Sequence, residues 1–194
     1  MSRDIKIDDL VIRPLTPQIW DDFVKLFGPK GAYGGCWCMW WRLTRSEFNK
    51  NQGEGNYQAM KAIVDSGAVS GLVAFYHHEP CGWCSVAPRD HYSSLERSPI
   101  LKRIDEKNVW SIVCFFIHRS YRGMNLTEKL ILGALEYGRS QGGKIVEAYP
   151  TVIRSHNAPP VSTFMGIPKI YERIGFKEVF RPSKSKVIMR YYLE

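Results

Sequence analysis

Several features that would place a chain at a membrane or on nucleic acid are missing from this sequence. No apolar run approaches the length that spans a bilayer, and the opening residues, MSRDIKIDDL, lack the apolar core of a signal peptide. Basic residues are scattered, with no block of five or six like charges. Internal repeats and low-complexity segments are also missing. We therefore expect neither a membrane nor a nucleic acid as a partner.

The overall composition is that of a globular protein. A length of 194 residues predicts a single domain over residues 1–194. Hydrophobic residues make up 44% and charged residues 24%, which is enough apolar side chain to bury a core. The formal net charge of +8 favours a polyanionic partner or a phosphorylated cofactor. Five cysteines, an odd number without a secretion signal, indicate a reducing cytoplasm.

The strongest pattern lies between Val109 and Pro150. β-forming residues run from Val109 to Ile117, a basic turn-forming segment follows, and apolar residues then recur at helical spacing until Lys144–Tyr149, which reads as another strand. A loop that leads from a strand directly into a helix presents the unpaired N–H groups of the first helical turn, which bind anions. Arg119 and Arg122 add positive charge there. The segment therefore predicts a diphosphate site.

The loop in this segment resembles the pyrophosphate loop of the GNAT acetyltransferase superfamily, which reads Arg/Gln-x-x-Gly-x-Gly/Ala. It begins at Arg122 and ends at Thr127, with the letters RGMNLT. The arginine matches, whereas Asn125 and Thr127 replace the two family glycines. Asparagine adopts positive φ at lower cost than other non-glycine residues, so we expect Asn125 to hold the turn.

A second signature of this family, Tyr-x-x-x-Gly-Phe, matches Tyr171, Gly175 and Phe176. The resemblance implies a GNAT-type α/β fold, with flanking helices on a mixed, mostly antiparallel sheet that splays where the cofactor enters. It implies an N-acetyltransferase that moves the acetyl group of acetyl-CoA, its co-substrate, to a primary amine without a metal. In this family the tyrosine lies near the sulfur of acetyl-CoA. Tyr171 is therefore the expected catalytic residue, whose hydroxyl donates a proton, or a strong hydrogen bond, to the departing thiolate.

The resemblance also implies which residues bind the cofactor. In GNAT folds the backbone of the strand before the loop pairs with the pantetheine arm, as an added strand would. One strand N–H could also polarise the thioester carbonyl. The expected cofactor-binding residues are Phe115, Phe116, Ile117, Arg122, Gly123, Met124, Asn125, Leu126 and Thr127.

The segment from Gly34 to Leu43, GGCWCMWWRL, contains three of the six tryptophans. Three indoles within five residues cannot all face one small core from a regular helix or strand, so we favour a partly exposed aromatic wall over core packing. In GNAT folds the segment between the first two strands covers the acceptor cleft, and a subgroup carries a similar Cys-Trp-Cys-Met stretch. Trp37, Trp40 and Trp41 are therefore predicted to bind the acceptor, a small-molecule or peptide amine.

Two cysteine pairs, Cys36-x-Cys38 and Cys81-x-x-Cys84, could supply four thiolates to a zinc ion. The second pair lies within a strand pattern, in which alternate residues face opposite sides, so its thiols are expected to point apart. We therefore expect no metal site. Cys114 lies in a β-forming run and is interpreted as a buried free thiol.

The sequence leaves the general base open among Glu147, His118, Asp90 and His91.

Two other classes of protein also stay open. The two replaced glycines are compatible with a catalytically silent CoA-binding or sensor domain. The charge of +8 and the many aromatics are compatible with a nucleic-acid-binding module, although RNP-type and helix-turn-helix signatures are missing. A homodimer is a further alternative.

Overall fold

The computed structural model describes residues 9–153 and 160–194. Its strands are β1 Leu10–Pro14, β2 Leu72–Tyr76, β3 Glu79–Pro88, β4 Trp110–Ile117, β5 Ile145–Ala148, β6 Lys177–Ser183 and β7 Lys186–Tyr192. Its α-helices are α1 Trp20–Phe27, α2 Arg45–Lys50, α3 Glu54–Asp65, α4 Ser93–Glu96, α5 Leu126–Ser140 and α6 Pro168–Ile174. Among the described residues, no helix has both the length and the apolar character needed to span a bilayer.

The strands form one sheet in the order β1-β2-β3-β4-β5-β7-β6. Every neighbouring pair is antiparallel except β4 and β5, which are parallel. These two strands pair only from Trp110 to Ile112 on β4 and from Val146 to Ala148 on β5. Beyond Ile112, β4 continues to Ile117 without β5 beside it. The predicted α/β fold, a mixed and mostly antiparallel sheet with flanking helices, is confirmed.

Helices cover both faces of the sheet because each has one apolar stripe. On one face, α5 buries the residues whose spacing predicted the helix: Leu126, Leu130, Ile131, Ala134 and Leu135. On the other face, α1 and α3 bury Phe23 and Met60 against β2 and β3, together with the segment that contains the tryptophans. The tryptophan segment therefore lies across the sheet from the helix that follows the loop.

A β-bulge in β3 corrects one expectation about the cysteines. The register between β2 and β3 shifts at Ala74 and Phe75, opposite Cys81. Because a bulge interrupts the alternation of a strand, Cys81 and Cys84 pack in the same apolar cluster. The prediction that their thiols face opposite sides is therefore wrong. Among the described residues, no group of three or more His, Cys, Asp or Glu side chains is placed to hold a metal ion.

A buried ionic cluster lies beside the splay, the point at which β4 continues without β5 beside it. The Glu147 carboxylate on β5 accepts hydrogen bonds from Arg89 Nη1 at 3.0 Å and from Arg190 Nε at 2.6 Å. The Tyr149 hydroxyl donates to the same carboxylate at 2.7 Å. Arg190 also binds Asp105 at 2.6 and 2.9 Å and holds the pKa of that carboxyl at about 2. The cluster connects the long segment after β3 to the strands on the far side of the splay.

Candidate active site

The splay opens into a cavity of about 930 Å³. Its wall comes from the segment 27–52, from the end of β4 with the following loop, and from residues 163–164. The wall is rich in aromatic side chains, which are Phe27, Tyr33, Trp40, Trp41, Phe48, Phe115, Phe116 and Phe164. Among the described residues, no Asp, Glu, His or Lys lines the cavity, and Arg122 is the lining residue with a full charge.

The loop before α5 has the backbone that an anion site needs. Asn125 precedes the helix with φ 55° and ψ 18°, and Gly123 has φ 77°. The prediction that Asn125 holds the turn at positive φ is confirmed. Helix α5 has 15 residues, so the positive end of its dipole lies at this loop.

Arg122 and Thr127 line the cavity beside the end of β4. Arg122 Nε donates to the Ile117 carbonyl at 3.2 Å, which holds the guanidinium against the strand end. The other predicted loop residues are outside the lining: Gly123, Met124, Asn125 and Leu126. The side chains available to a cofactor at this end are therefore those at the two ends of the loop.

The strand edge that is predicted to bind the pantetheine arm already has one partner. The Phe115 N–H donates to the Phe164 carbonyl at 2.6 Å. Thr163 and Phe164 line the cavity on this side, and Phe115, Phe116 and Ile117 line it along β4. A cofactor amide that pairs with Phe115 has to exchange with the Phe164 carbonyl.

The structure separates the three tryptophans that the sequence grouped. Trp40 and Trp41 line the cavity. Trp37 is 7% exposed and stacks on Phe27, with ring centroids 5.8 Å apart, inside the core. The backbone at Trp37 and Cys38 is left-handed, with φ 43° and 60°. Because the chain is neither a regular helix nor a strand there, neighbouring indoles point to different surroundings.

Tyr171 lies in the core behind the cavity. Its side chain is fully buried, and its hydroxyl donates to the Met165 carbonyl at 3.1 Å. Burial raises the pKa of the phenol well above its usual value, so the hydroxyl is protonated at neutral pH. Tyr171 is outside the cavity lining, but its partner Met165 is the residue after Phe164, which does line it.

The four candidate bases are all outside the cavity lining. Glu147 is held in the ionic cluster, and His118 Nδ1 accepts from the Ser120 N–H at 3.4 Å. Asp90 and His91 are exposed in a short 3₁₀ helix after β3. Three thiols line the cavity instead: Cys36, Cys38 and Cys114. Sequence reasoning missed this group, whose one local signal was the Cys-x-Cys among the tryptophans.

Comparison with known proteins gives the family. Residues 37–164 match the acetyltransferase (GNAT) family. No curated protein sequence matches the chain. Three similar solved structures share the fold at low identity. They are a GNAT-family acetyltransferase from Listeria monocytogenes (13% identity, TM-score 0.55, covering 95% of this chain and 95% of that chain), the PaiA N-acetyltransferase of Thermoplasma acidophilum in complex with coenzyme A (14%, 0.51, 94% and 98%), and YncA of Salmonella typhimurium with its cofactor acetyl-CoA (14%, 0.50, 96% and 95%).

Proposed function

The chain belongs to the GNAT family of acetyltransferases, whose co-substrate is acetyl-CoA, and we propose that it acetylates the primary amine of an apolar acceptor. The observation that carries this proposal is the continuity of the cavity. Arg122 and Thr127, the strand residues Phe115 to Ile117, and the indoles of Trp40 and Trp41 all line one cavity. A thioester that lies along β4 with its diphosphate at Arg122 would present its acetyl group toward the tryptophans.

The chemistry of the wall supports the class of acceptor. An ammonium ion that is taken out of water without a carboxylate partner loses several kcal/mol of solvation. Among the described residues the cavity has no carboxylate, and one face of Trp40 is already covered by the Arg45 guanidinium, 3.2 Å from the ring centroid. The proposed acceptor therefore has an aromatic or aliphatic body and an amine that enters uncharged. It is a small molecule or an apolar peptide.

We propose the following roles for the remaining predicted residues. Arg122, the loop residues 123–126 and Thr127 bind the pyrophosphate at the N-terminus of α5. The backbone from Phe115 to Ile117 pairs with the pantetheine arm once the Phe164 carbonyl has been displaced, and the freed N–H polarises the thioester carbonyl. Tyr171 protonates the CoA thiolate as it leaves.

The function is tested with the purified protein, acetyl-CoA and a matched pair of amines. Aniline and cyclohexylamine have similar size, but aniline is neutral at neutral pH whereas cyclohexylamine is a cation. We expect calorimetry to show acetyl-CoA binding, and thiol release to show a higher kcat/KM for aniline. Binding of acetyl-CoA without thiol release for any amine would instead support the silent CoA-binding domain. Salt-dependent binding of generic DNA without CoA binding would support the nucleic-acid module.

Charge reversal at Arg122 should weaken the binding of acetyl-CoA by about tenfold or more. A charge-assisted hydrogen bond contributes about 1.5–3 kcal/mol, and the new carboxylate adds repulsion. Calorimetry on Arg122→Glu measures this change directly. The matched control is Arg139→Glu, which makes the same change on an exposed residue at the other end of α5. Equal affinities of the two folded variants would refute the placement of the diphosphate.

Removal of the Trp40 indole should raise KM for the acceptor by about tenfold and leave KM for acetyl-CoA nearly unchanged. The indole lines the acceptor half of the cavity, and burial of apolar area contributes about 25 cal/mol per Å². Trp37→Ala serves as the contrast, because Trp37 packs in the core and its removal should lower the melting temperature instead. Steady-state kinetics and thermal unfolding of both variants distinguish the two effects, and a Trp40→Ala variant that alters only stability would contradict this role.

The proposal retains two expectations about the protein as a whole. Residues 1–194 act as one catalytic domain, and the protein works in the cytoplasm, where its five free cysteines stay reduced. A homodimer is retained as an alternative to a monomer, and light scattering at micromolar concentration distinguishes them.

A further inference from the structure

We infer that Cys38 is the group that accepts the proton of the acceptor amine, an inference that rests on the proposed function. Cys38 lines the cavity together with Cys114, which directly precedes Phe115 on β4. The sulfur pair therefore lies beside the strand that is proposed to hold the thioester. Among the described residues that line the cavity, the titratable side chains are Tyr33, Arg122 and three cysteines.

The Cys38 sulfur accepts a hydrogen bond from β3 and lies near other polar side chains. The Trp83 indole N–H from β3 lies 3.1 Å from it. The side chains of Cys114 on β4 and Ser85 on β3 are neighbours that lower the pKa of this thiol. The Arg42 side chain, 7% exposed, adds a positive charge from the same segment of the chain. Donors and a nearby cation both favour a thiolate over a thiol.

These contacts affect Cys38 differently from the groups around it. The neighbouring Cys114 side chain is the largest cause that lowers the pKa of Cys38, to about 7, against the opposing effect of burial. Burial raises the pKa of Cys36 to about 11, and it raises the pKa values of Tyr92, in the turn after β3, and of Cys84, which packs on the other face of β3. The neighbouring Cys38 thiol and burial raise the pKa of Cys114 well above its usual value. Cys38 is thus the thiol that can exchange a proton near neutral pH.

The backbone holds the sulfur in this position at some conformational cost. Trp37 and Cys38 both adopt left-handed φ angles, which side chains with a Cβ rarely do. The Trp37 indole packs in the core against Phe27. The side chain of the next residue, Cys38, is thereby directed toward β3 and β4. Strained positions of this kind persist where the surrounding packing determines them, and they cluster at functional sites.

The proposed step balances as follows. The amine nitrogen attacks the thioester carbonyl carbon, the N–C bond forms, and the C–S bond breaks with its electron pair on the CoA sulfur. The amine proton passes to the Cys38 thiolate, which becomes a thiol and later returns a proton to solvent. The CoA thiolate takes a proton from Tyr171, which solvent reprotonates. A thiolate whose thiol has a pKa of about 7 is too weak a base to deprotonate an alkylammonium, which has a pKa of about 10.4. It therefore suits an amine that enters uncharged.

The decisive experiment is the pH dependence of kcat/KM with aniline, which is neutral throughout the range and adds no titration of its own. We expect the wild-type rate to rise with pH through about 7. Cys38→Ser should not show this rise with pH and should be about 100-fold slower. Its affinity for acetyl-CoA should be unchanged. Trp83→Phe should move this rise to higher pH, because it removes the indole N–H that donates to the Cys38 sulfur at 3.1 Å. A Cys38→Ser enzyme whose rate still rises with pH as in the wild type overturns the inference.

A second measurement keeps the inference testable if Cys38→Ser does not fold. The rate at which iodoacetamide alkylates Cys38 in the wild-type protein, followed by peptide mass spectrometry, should have a midpoint near 7. A midpoint near the ordinary thiol value of about 8.5 overturns the role of Cys38 but not the proposed function. Acetylation of Cys38 by acetyl-CoA at the rate of turnover would make it a nucleophile and also overturns it. If the wild-type protein acetylates no amine, the proposed function fails, and this role fails with it.

Discussion

Replacement of Glu147 by Ala should lower the free energy of unfolding by about 3–5 kcal/mol, because it leaves buried cations without their shared carboxylate. Glu147 and both its arginine partners, Arg89 and Arg190, are at most 3% exposed. Its carboxylate accepts from both guanidinium groups and from the Tyr149 hydroxyl. In the Ala variant Arg89 keeps Glu96 and Arg190 keeps Asp105, each at 2.6 Å. The buried Arg89 Nη1, however, is left with the Tyr149 hydroxyl in place of a carboxylate.

Denaturant unfolding of Glu147→Ala beside Glu128→Ala measures this effect against a matched control. Glu128 also pairs with an arginine, Arg173, at 2.7 Å, but the two side chains are 31% and 52% exposed. Its loss should change the stability by less than about 1 kcal/mol. The sequence left Glu147 open as a candidate general base. The kcat values of the same two variants test that role. Similar small losses of stability in both variants would show that the buried cluster contributes little, contrary to our expectation.

Tyr171→Phe should reduce kcat by about 10²-fold or more and leave the affinity for acetyl-CoA nearly unchanged. The hydroxyl is protonated at neutral pH, since burial raises its pKa. It donates to the Met165 carbonyl, and the preceding residue, Phe164, accepts from the Phe115 N–H. One short segment therefore holds both groups that the proposed mechanism uses. If acetyl-CoA displaces that segment from β4, the Phe115 N–H and the Tyr171 hydroxyl are released together.

Single-turnover kinetics, in which chemistry limits the rate, measure the contribution of the Tyr171 hydroxyl. The control is Tyr149→Phe, which removes another fully buried hydroxyl, one that belongs to the ionic cluster. Tyr171→Phe removes the hydroxyl that donates to the Met165 carbonyl, and Tyr149→Phe removes one of the two hydrogen bonds to Glu147 Oε1. Both variants lose a buried hydrogen bond and should lose about 1–3 kcal/mol of stability. The loss in kcat should occur for Tyr171 alone. A normal kcat for Tyr171→Phe would mean that water protonates the thiolate and that this tyrosine only packs the core.

The sequence by itself determined the family and the order of strand, loop, helix and strand from Val109 to Tyr149, because the signals that carry them are local. The β-forming run that became β4, the helical spacing of α5 and the turn at Asn125 each depend on residues within a few positions of one another. The positive φ of Asn125 follows from the residue type and its place before the helix. The loop signature with its arginine, and the later Tyr-x-x-x-Gly-Phe, were readable for the same reason.

Only the tertiary structure decided which side chains meet at the cavity, because those contacts join residues far apart in the chain. The Cys38 sulfur meets an indole N–H 45 positions away, on β3. Strained backbone turned Trp37 into the core and left Trp40 and Trp41 on the cavity wall. A single bulge reversed the expected side of Cys81, since one extra residue shifts the alternation of a whole strand. Such contacts arise when the sheet closes, and no local pattern encodes them.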